Sequence, residues 1–239
     1  MEELKRNLQS LKLAGMASCI QALYETRKLQ ELSLMDGLEL LVQAEKDQRW
    51  SNRYTRLVKN ANFRYMATLE QLTITKDRGI DTGTITLLAT GTYLKNGESI
   101  LVTGMSGTGK SHLISSLGHQ ACKQGFTVAY YNAQKLLMLL KIARLDGSLL
   151  KLLEKLAKTD LLILDDFGLT PMDPNQQNDF MEIIEDRHAR RSTIIASQLP
   201  VSSWFDVFPV GTVADAILDR ICHTSYRFEL VGESRRKKK

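Results

Sequence analysis

The spacing of hydrophobic and polar positions in the first sixty or so residues differs from that in the rest of the chain. In the N-terminal part, apolar residues recur every three to four positions, which is the period of an amphipathic helix. Three such repeats occur, at Leu4, Leu8 and Leu11, at Met16, Ile20 and Leu23, and at Leu34, Leu38 and Leu41. They predict three helices, with Gly15 separating the first two, and the same pattern predicts a fourth helix from about Asp47 to Asn60. We expect a small helical domain whose apolar stripes face one another.

The rest of the chain alternates between short apolar runs and longer helical patterns, which is typical of a parallel sheet covered by helices. The predicted strands are 99–103, 127–131, 161–164, 193–196 and 226–230, and the predicted helices are 110–123, 133–157, 175–190 and 212–221. The fold class is therefore α/β, with a five-stranded parallel sheet. A break is expected at Gly147, within the second of these helical stretches. From about residue 63 to residue 96 the pattern is mixed and less readable.

These patterns divide the chain into four parts. Residues 1–65 are the helical domain, 66–98 a linker and the entry to the core, 99–232 the α/β domain, and 233–239 a basic tail.

Composition narrows the class of protein. With 239 residues, 43% of them hydrophobic and 25% charged, the chain has the make-up of a soluble globular protein. Its apolar runs are too short to span a bilayer, and its first residues lack the layout of a secretory signal. Cys19, Cys122 and Cys222 are odd in number and widely spaced, which favours buried thiols in a reducing cytoplasm over disulfides or a zinc site. A net charge of +5 mildly favours an acidic partner, nucleic acid above all.

The strongest chemical motif lies directly after the first predicted strand. Residues 104–111 match the phosphate-loop pattern G-x-x-x-x-G-K-[ST] at every fixed position, and a predicted helix follows. Glycines allow backbone N–H groups to close around phosphate oxygens, and the helix N-terminus adds a positive dipole end. Lys110 can reach the outer phosphates, and the Ser111 hydroxyl can bind Mg²⁺. The predicted ATP-binding residues are Gly104, Met105, Ser106, Gly107, Thr108, Gly109, Lys110, Ser111 and His112.

A second motif, about fifty residues further on, is an apolar strand that ends in two carboxylates, Asp165 and Asp166. A strand that is apolar on both faces belongs in the centre of a parallel sheet, and open α/β sheets bind their ligands at the carboxyl ends of such strands. Asp165 is predicted to hold Mg²⁺, directly or through water, together with Ser111. Asp166 is predicted to orient or deprotonate the attacking water. With the phosphate loop, this pair predicts a nucleoside triphosphatase.

Two further groups have more than one interpretation. Ser197 and Gln198 follow the fourth predicted strand, where either could hydrogen-bond the terminal phosphate or the attacking water, or simply open the loop toward Pro200. Arg220, near the end of the last predicted helix, is either a surface or ion-paired charge or an arginine finger. An arginine finger would reach the nucleotide of a neighbouring subunit and stabilise its transition state.

The predicted fourth helix also carries a row of cations on one face. Aromatic residues are interleaved with these cations, and a row of this kind suits a nucleic-acid backbone, although a solvated charged face is the commoner meaning. The predicted DNA-binding residues are Arg49, Arg53, Arg56 and Lys59, with Trp50, Tyr54, Phe63 and Tyr65 interleaved or close behind.

Taken together, these segments resemble the IstB/DnaC-like branch of the AAA+ ATPases. The matching segments are the phosphate loop, L-L-I-L-D-D-F-G-L at 161–169, S-T-I-I-A-S-Q-L-P at 192–200, A-D-A-I-L-D-R at 214–220, and the close of the chain from Tyr226 to Ser234. The phosphate loop belongs to a whole superfamily, whereas the segments at 192–200 and 214–220 narrow the resemblance to IstB.

The resemblance implies an ATPase of the bacterial cytoplasm that uses ATP and Mg²⁺ and forms homo-oligomers with ATP sites between subunits. It implies N-terminal helices that bind duplex DNA, a transposase as partner, Ser197 or Gln198 as the first sensor, and Arg220 as a finger acting in trans. Many AAA+ proteins carry Asp-Glu where this chain has Asp165-Asp166, and the shorter Asp166 implies slow turnover. The resemblance also implies that no helical lid follows the fifth strand.

Three other functions fit parts of the pattern. A helicase loader shares the ATPase core and differs in its partner, and a small-molecule kinase also uses a phosphate loop. The third is a nucleotide-gated scaffold with negligible turnover, which is compatible with the shorter Asp166 side chain because that side chain implies slow hydrolysis.

Overall fold

The computed structural model describes residues 1–73 and 75–234, so most of the predicted basic tail lies outside the described residues. The helices are α1 (Glu2–Ser10), α2 (Ala14–Glu25), α3 (Leu34–Ala61), α4 (Thr82–Ala89), α5 (Thr92–Asn96), α6 (Lys110–Lys123), α7 (Ala133–Leu145), α8 (Leu149–Lys158), α9 (Pro174–Arg187) and α10 (Gly211–Cys222). The strands are β1 (Ser99–Gly104), β2 (Val128–Asn132), β3 (Leu161–Phe167), β4 (Ser192–Ser197) and β5 (Ser225–Leu230). Within the described residues, no helix is both long enough and apolar enough to cross a membrane.

The chain divides into two compact units, Met1–Arg56 and Leu57–Lys239, and the division falls inside α3. By comparison, the sequence pattern places the end of the helical part at residue 65. The segment 66–98, predicted as a linker, contains the helices α4 and α5.

The helices of the first unit correct the sequence prediction in two respects. The predicted third and fourth helices are one continuous helix, α3, because no glycine or proline interrupts the chain between residues 38 and 61. Gly15 lies inside α2 and does not separate the first two helices. The chain turns before it, at Lys12, which has a left-handed backbone (φ +60°).

Packing in the first unit also differs from the predicted facing stripes. Leu11 and Leu34 are 68% and 78% exposed, so much of the apolar pattern does not form a core in this unit. Small residues of α2 are buried instead: a Cβ on Gly15 would lie 2.4 Å from the Ala44 carbonyl oxygen of α3. A carboxylate oxygen of Glu45 accepts the Gly15 backbone N–H at 2.8 Å and so satisfies a free N–H at the start of α2.

The second unit contains the predicted five-stranded sheet, in the order β2-β3-β4-β1-β5, and every neighbouring pair is parallel. The expected break at Gly147 is confirmed, because α7 ends at Leu145, α8 begins at Leu149 and Gly147 has a φ of +78°. Central β3 is buried along nearly its whole length, as its apolar sequence predicts.

Helices cover both faces of this sheet. Successive side chains of a strand point to opposite faces, so Leu162 and Leu164 share one face of β3 and Ile163 faces the other. Leu162 and Leu164 belong to a core cluster with α7, α8, α9 and α10. Ile163 meets α6 instead, where a Cβ on Gly118 would lie 2.8 Å from its Cδ1 atom. The sheet therefore presents the carboxyl ends of β1, β3 and β4 at one edge of a three-layer core.

The three cysteines all lie within the described residues and are free thiols, with Cys122 buried and Cys19 and Cys222 partly buried. Burial raises the pKa of the Cys122 thiol to about 12, so this side chain stays protonated and packs as a small apolar group.

Candidate functional site

The predicted phosphate loop connects the end of β1 to the start of α6, and its glycines have backbone angles that other residues rarely adopt. Gly107 and Gly109 have φ values of +87° and +102°. Gly104 has a φ of +142°, and a Cβ there would lie 2.3 Å from the Leu230 carbonyl oxygen of neighbouring β5. The loop conformation and its close approach to β5 therefore both require glycine.

The side chain of Lys110 lies under this loop. The residue is 6% exposed, and its Nζ atom donates to the carbonyl oxygens of Gly104 at 2.7 Å and Met105 at 2.9 Å. These two carbonyls hold the ammonium group at the mouth of the loop, where phosphate oxygens would compete with them for its protons.

A cavity of about 430 Å³ opens above the loop. Its floor is formed by residues 106–113, so seven of the nine predicted ATP-binding residues line it, and Gly104 and Met105 supply the carbonyls below. Leu72, Ile80 and Leu230 add an apolar wall. The size of the cavity and its mixed polar and apolar lining suit a small organic ligand that carries phosphates. A larger cavity of about 900 Å³ lies along edge strand β2, away from the loop.

The two predicted carboxylates lie at an irregularity in the sheet. The register between β3 and β4 shifts between Leu164 and Phe167, and Asp166 has a left-handed backbone with a φ of +57°. Asp166 lines the cavity, whereas Asp165 is 1% exposed. The Asp165 carboxylate accepts the Tyr130 hydroxyl at 2.5 Å and the Asp166 backbone N–H at 3.0 Å. Burial, with the charge of Asp165 added, raises the pKa of Tyr130, so its hydroxyl stays protonated and keeps donating.

A third charged residue, Arg64, contacts both carboxylates and was missed by the sequence reasoning. Its Nη1 atom lies 3.2 Å from Asp166 Oδ2 and 3.6 Å from Asp165 Oδ2. Arg64 lines the same cavity and precedes the carboxylates by about one hundred residues, in the segment whose pattern was hard to read. The signal available in the sequence is the position of Arg64 between two aromatic residues, Phe63 and Tyr65.

The structure separates the two candidates for the first sensor. The Ser197 side chain is fully buried, and its hydroxyl donates to the Phe167 carbonyl oxygen at 2.7 Å and accepts the Leu199 N–H at 3.1 Å. Gln198, the next residue, lines the cavity together with Asp166. Of the two, the structure brings only Gln198 to the phosphate loop.

Arg220 lies near the end of α10 and is not among the residues that line the cavity of its own chain. Its Nε atom forms an ion pair with Glu185 of α9, and its Nη1 atom donates to the Ala216 carbonyl oxygen at 2.9 Å. The side chain of Glu185 is 56% exposed, so this ion pair is a weak one at the protein surface.

The predicted basic row lies along α3, with Arg49, Arg53, Arg56 and Lys59 all exposed. Arg49 is paired with the nearly buried Glu45 at 2.6 Å, so part of its charge serves the packing of the first unit. Trp50 is 52% exposed, and its ring stacks on that of Tyr54 with a centroid distance of 5.6 Å. The row therefore combines exposed cations with an aromatic pair, of which Trp50 is exposed and Tyr54 partly buried.

Oxygen atoms available at the cavity fit a magnesium ion. Ser111 and Asp166 line the same cavity, and the Asp165 carboxylate accepts the Asp166 backbone N–H. Hydroxyl and carboxylate oxygens are the ligands that Mg²⁺ takes from proteins, with phosphates and water completing its octahedron. Bound there, the ion would neutralise charge on the phosphates during their transfer.

Four features together define a phosphate-loop nucleoside triphosphatase. They are the parallel α/β sheet, the glycine loop that leads into a helix N-terminus, the buried lysine, and the carboxylate pair at the end of a central strand. The comparisons with known proteins make this class more specific. The chain matches the IstB-like ATP binding protein family over residues 6–239, and it therefore belongs to that family. It is an ATPase with the AAA+ fold, as the resemblance implied.

Similar proteins support this assignment over almost the full chain. The insertion sequence ATP-binding protein y4pL of Sinorhizobium fredii is 38% identical over 230 residues, which cover 96% of this chain and 94% of that protein. The ATP-binding protein of insertion sequence IS1162 from Pseudomonas fluorescens is 40% identical over 82% of this chain and 85% of its own length. Among solved structures, the DnaC helicase loader superposes with a TM-score of 0.57 at 19% identity, covering 70% of this chain and 98% of that chain. At that identity the DnaC likeness concerns the fold.

Proposed function

We propose that this ATPase binds Mg·ATP in the phosphate-loop cavity, assembles as an oligomer on duplex DNA, and assists a transposase in DNA transposition. The observation that carries the proposal is that a chain of the IstB-like family combines two features. One is the phosphate-loop cavity, and the other is an exposed row of cations on α3 with aromatic residues interleaved.

In this proposal, different side chains of the cavity bind the phosphates, the metal ion and the attacking water. Lys110 would exchange the loop carbonyls for the outer phosphates, and Ser111 with the Asp165–Asp166 pair would hold the metal ion. Asp166 also orients or deprotonates the attacking water, and Gln198 contacts the water or the terminal phosphate. Arg220 completes the site of a neighbouring subunit, which fits its place outside the cavity of its own chain.

Contact with DNA is assigned to α3. Exposed Arg53, Arg56 and Lys59 are spaced along one face of a continuous helix, and phosphate contacts of this kind supply most sequence-independent affinity for DNA. The similar proteins are named for insertion sequences, which supports a transposase encoded with this ATPase as its partner.

The decisive experiment measures ATP hydrolysis per subunit against protein concentration, with and without duplex DNA. A rate that rises with concentration and rises further on adding DNA is the expected result, because each site then needs a neighbouring subunit and DNA gathers subunits together. Lys110→Ala serves as the matched control, since it should abolish ATP binding without touching α3. A wild-type rate that is indifferent to both concentration and DNA would overturn the proposal.

A further inference from the structure

Arg64 lines the cavity and contacts both members of the carboxylate pair. Its Nη1 atom contacts Oδ2 of both Asp165 and Asp166, at 3.6 Å and 3.2 Å. Asn132 donates to the same Asp166 Oδ2 atom at 3.2 Å, and Tyr130 donates to the same Asp165 Oδ2 atom at 2.5 Å. The oxygen atoms that would bind a metal ion thus already have protein donors, and Arg64 is the charged one.

The residues on either side of Arg64 are fixed to α6, the helix that follows the phosphate loop. The Phe63 ring stacks on His119 with a centroid distance of 4.2 Å, and a Cβ on Gly118 would lie 2.4 Å from Phe63 Cε1. The Tyr65 backbone lies close enough to His119 to act on its ring, whose pKa is lowered chiefly by burial. Phe63 therefore anchors the backbone beside residue 64 on α6, whereas the Arg64 side chain is 43% exposed and its guanidinium lies 5.5 Å from the centroid of the Tyr65 ring.

A guanidinium and a divalent cation repel each other when they share carboxylate oxygens, and the repulsion is strong in a partly buried site. Binding of Mg²⁺ at Asp166 would therefore require Arg64 to leave. The same cavity would then offer Arg64 the phosphate oxygens of the nucleotide, which a planar guanidinium binds well.

We propose that Arg64 is a positioning residue that acts as an exchangeable counter-ion of the Asp165–Asp166 pair. It competes with Mg²⁺ for the carboxylates and regulates metal entry into the ATP site. The inference rests on the proposed use of Mg·ATP in this cavity and is independent of DNA, the oligomer and the transposase.

The test titrates Mg²⁺ into the full-length protein mixed with a fluorescent ATP analogue and records the Mg²⁺ concentration that gives half-maximal binding. Arg64→Gln should lower this Mg²⁺ concentration by about fivefold, because a partly exposed ion pair then no longer competes with the metal ion for the carboxylates. Arg64→Lys, which keeps the positive charge, should stay close to the wild-type value. In an Asp166→Asn background the effect of Arg64→Gln should shrink, because the counter-ion has lost its principal partner.

An unchanged or raised half-maximal Mg²⁺ concentration in Arg64→Gln would overturn the proposal. Thermal unfolding of each variant separates this outcome from a structural defect, since a purely structural Arg64 would lower the melting temperature and leave the Mg²⁺ midpoint in place. If the wild-type protein failed to bind the ATP analogue at any Mg²⁺ concentration, the assignment of the cavity as the ATP site would fall first.

Discussion

Two adjacent polar residues at the end of β4 illustrate how much is decided at the scale of single residues. Ser197 and Gln198 are equally plausible sensors in the sequence, and they are consecutive residues, the last of β4 and the first beyond it. That one step turns Ser197 into the core, toward the Phe167 carbonyl, and places Gln198 at the wall of the cavity. Ser197 therefore stabilises the junction of β3 and β4, and Gln198 is free to face the nucleotide.

This difference predicts opposite results for two alanine variants. Ser197→Ala leaves the buried Phe167 carbonyl and Leu199 N–H without a partner, which should lower the free energy of unfolding by about 1–3 kcal/mol. Gln198→Ala should change stability little and lower the rate of ATP hydrolysis. Chemical denaturation and steady-state hydrolysis, measured on both variants, check the two halves. A Gln198→Ala enzyme as fast as the wild type would remove Gln198 from the site.

At the scale of elements, α3 has properties that its two predicted halves do not have separately. The basic row lies wholly within residues 47–60, which the sequence predicts as a separate helix, but the continuous helix from Leu34 to Ala61 adds Glu45 one turn before Arg49. Its Glu45 side chain also joins α2 to α3 through the Gly15 N–H. Arg49, which the sequence groups with the DNA-binding cations, is the member tied to this internal contact.

Arg53 and Arg56, both exposed on α3, are predicted to contact DNA phosphates. Arg53→Ala combined with Arg56→Ala should weaken duplex binding for all sequences alike. It should also reduce the slope of log affinity against log salt by roughly two, about one for each lost phosphate contact. Fluorescence anisotropy at several salt concentrations measures both quantities.

The matched control removes the same charge elsewhere. Arg6→Ala combined with Lys28→Ala alters two exposed cations that lie outside α3, so it should leave the salt slope near the wild-type value. Equal weakening by both pairs would show that net charge alone attracts the DNA and that α3 holds no special position.

At the scale of the whole molecule, the proposed ATP site needs an arginine finger, and the chain's own Arg220 does not line the cavity. The described cavity contains Lys110, Ser111, Asp166 and Gln198, whereas Arg220 is held by Glu185 on the outer helices α9 and α10. An arginine finger supplied by a neighbour is worth roughly a 10³-fold or greater increase in rate. The surface ion pair that holds Arg220 is weak enough to be exchanged for a phosphate.

Mixing two inactive variants tests whether Arg220 acts between subunits. Asp166→Asn should bind ATP without hydrolysing it and still present Arg220, and Arg220→Ala should keep its own carboxylate pair. In an equal mixture about a quarter of head-to-tail junctions combine an intact Asp166 with a neighbour's intact Arg220, so hydrolysis should return to about that fraction. A mixture as inactive as each variant alone, with ATP binding retained, would contradict a finger acting in trans.

Local patterns in the sequence were sufficient to predict the five strands of the second unit and its helices from α6 to α10. Strands β1 to β5 and the break at Gly147 were predicted, because apolar runs, helical periodicity and glycine positions depend on neighbouring residues. The sequence was a poor guide to α4 and α5, which are short and whose buried residues, such as Leu88 and Tyr93, depend on packing with the core. The roles of the site residues remain predictions, although the structure places most of them around one cavity.

The α/β class, the phosphate loop and the two carboxylates at the end of an apolar strand can therefore be predicted from consecutive residues alone. The tertiary structure decided which groups meet: the order of the five strands, the pairing of Arg64 with Asp165 and Asp166, and the choice of Gln198 over Ser197 at the cavity wall. These depend on a register shift between β3 and β4 and on contacts between residues about one hundred positions apart. No periodicity or motif in the sequence predicts such contacts, because the contacts form only when the sheet has assembled and its strand ends lie side by side.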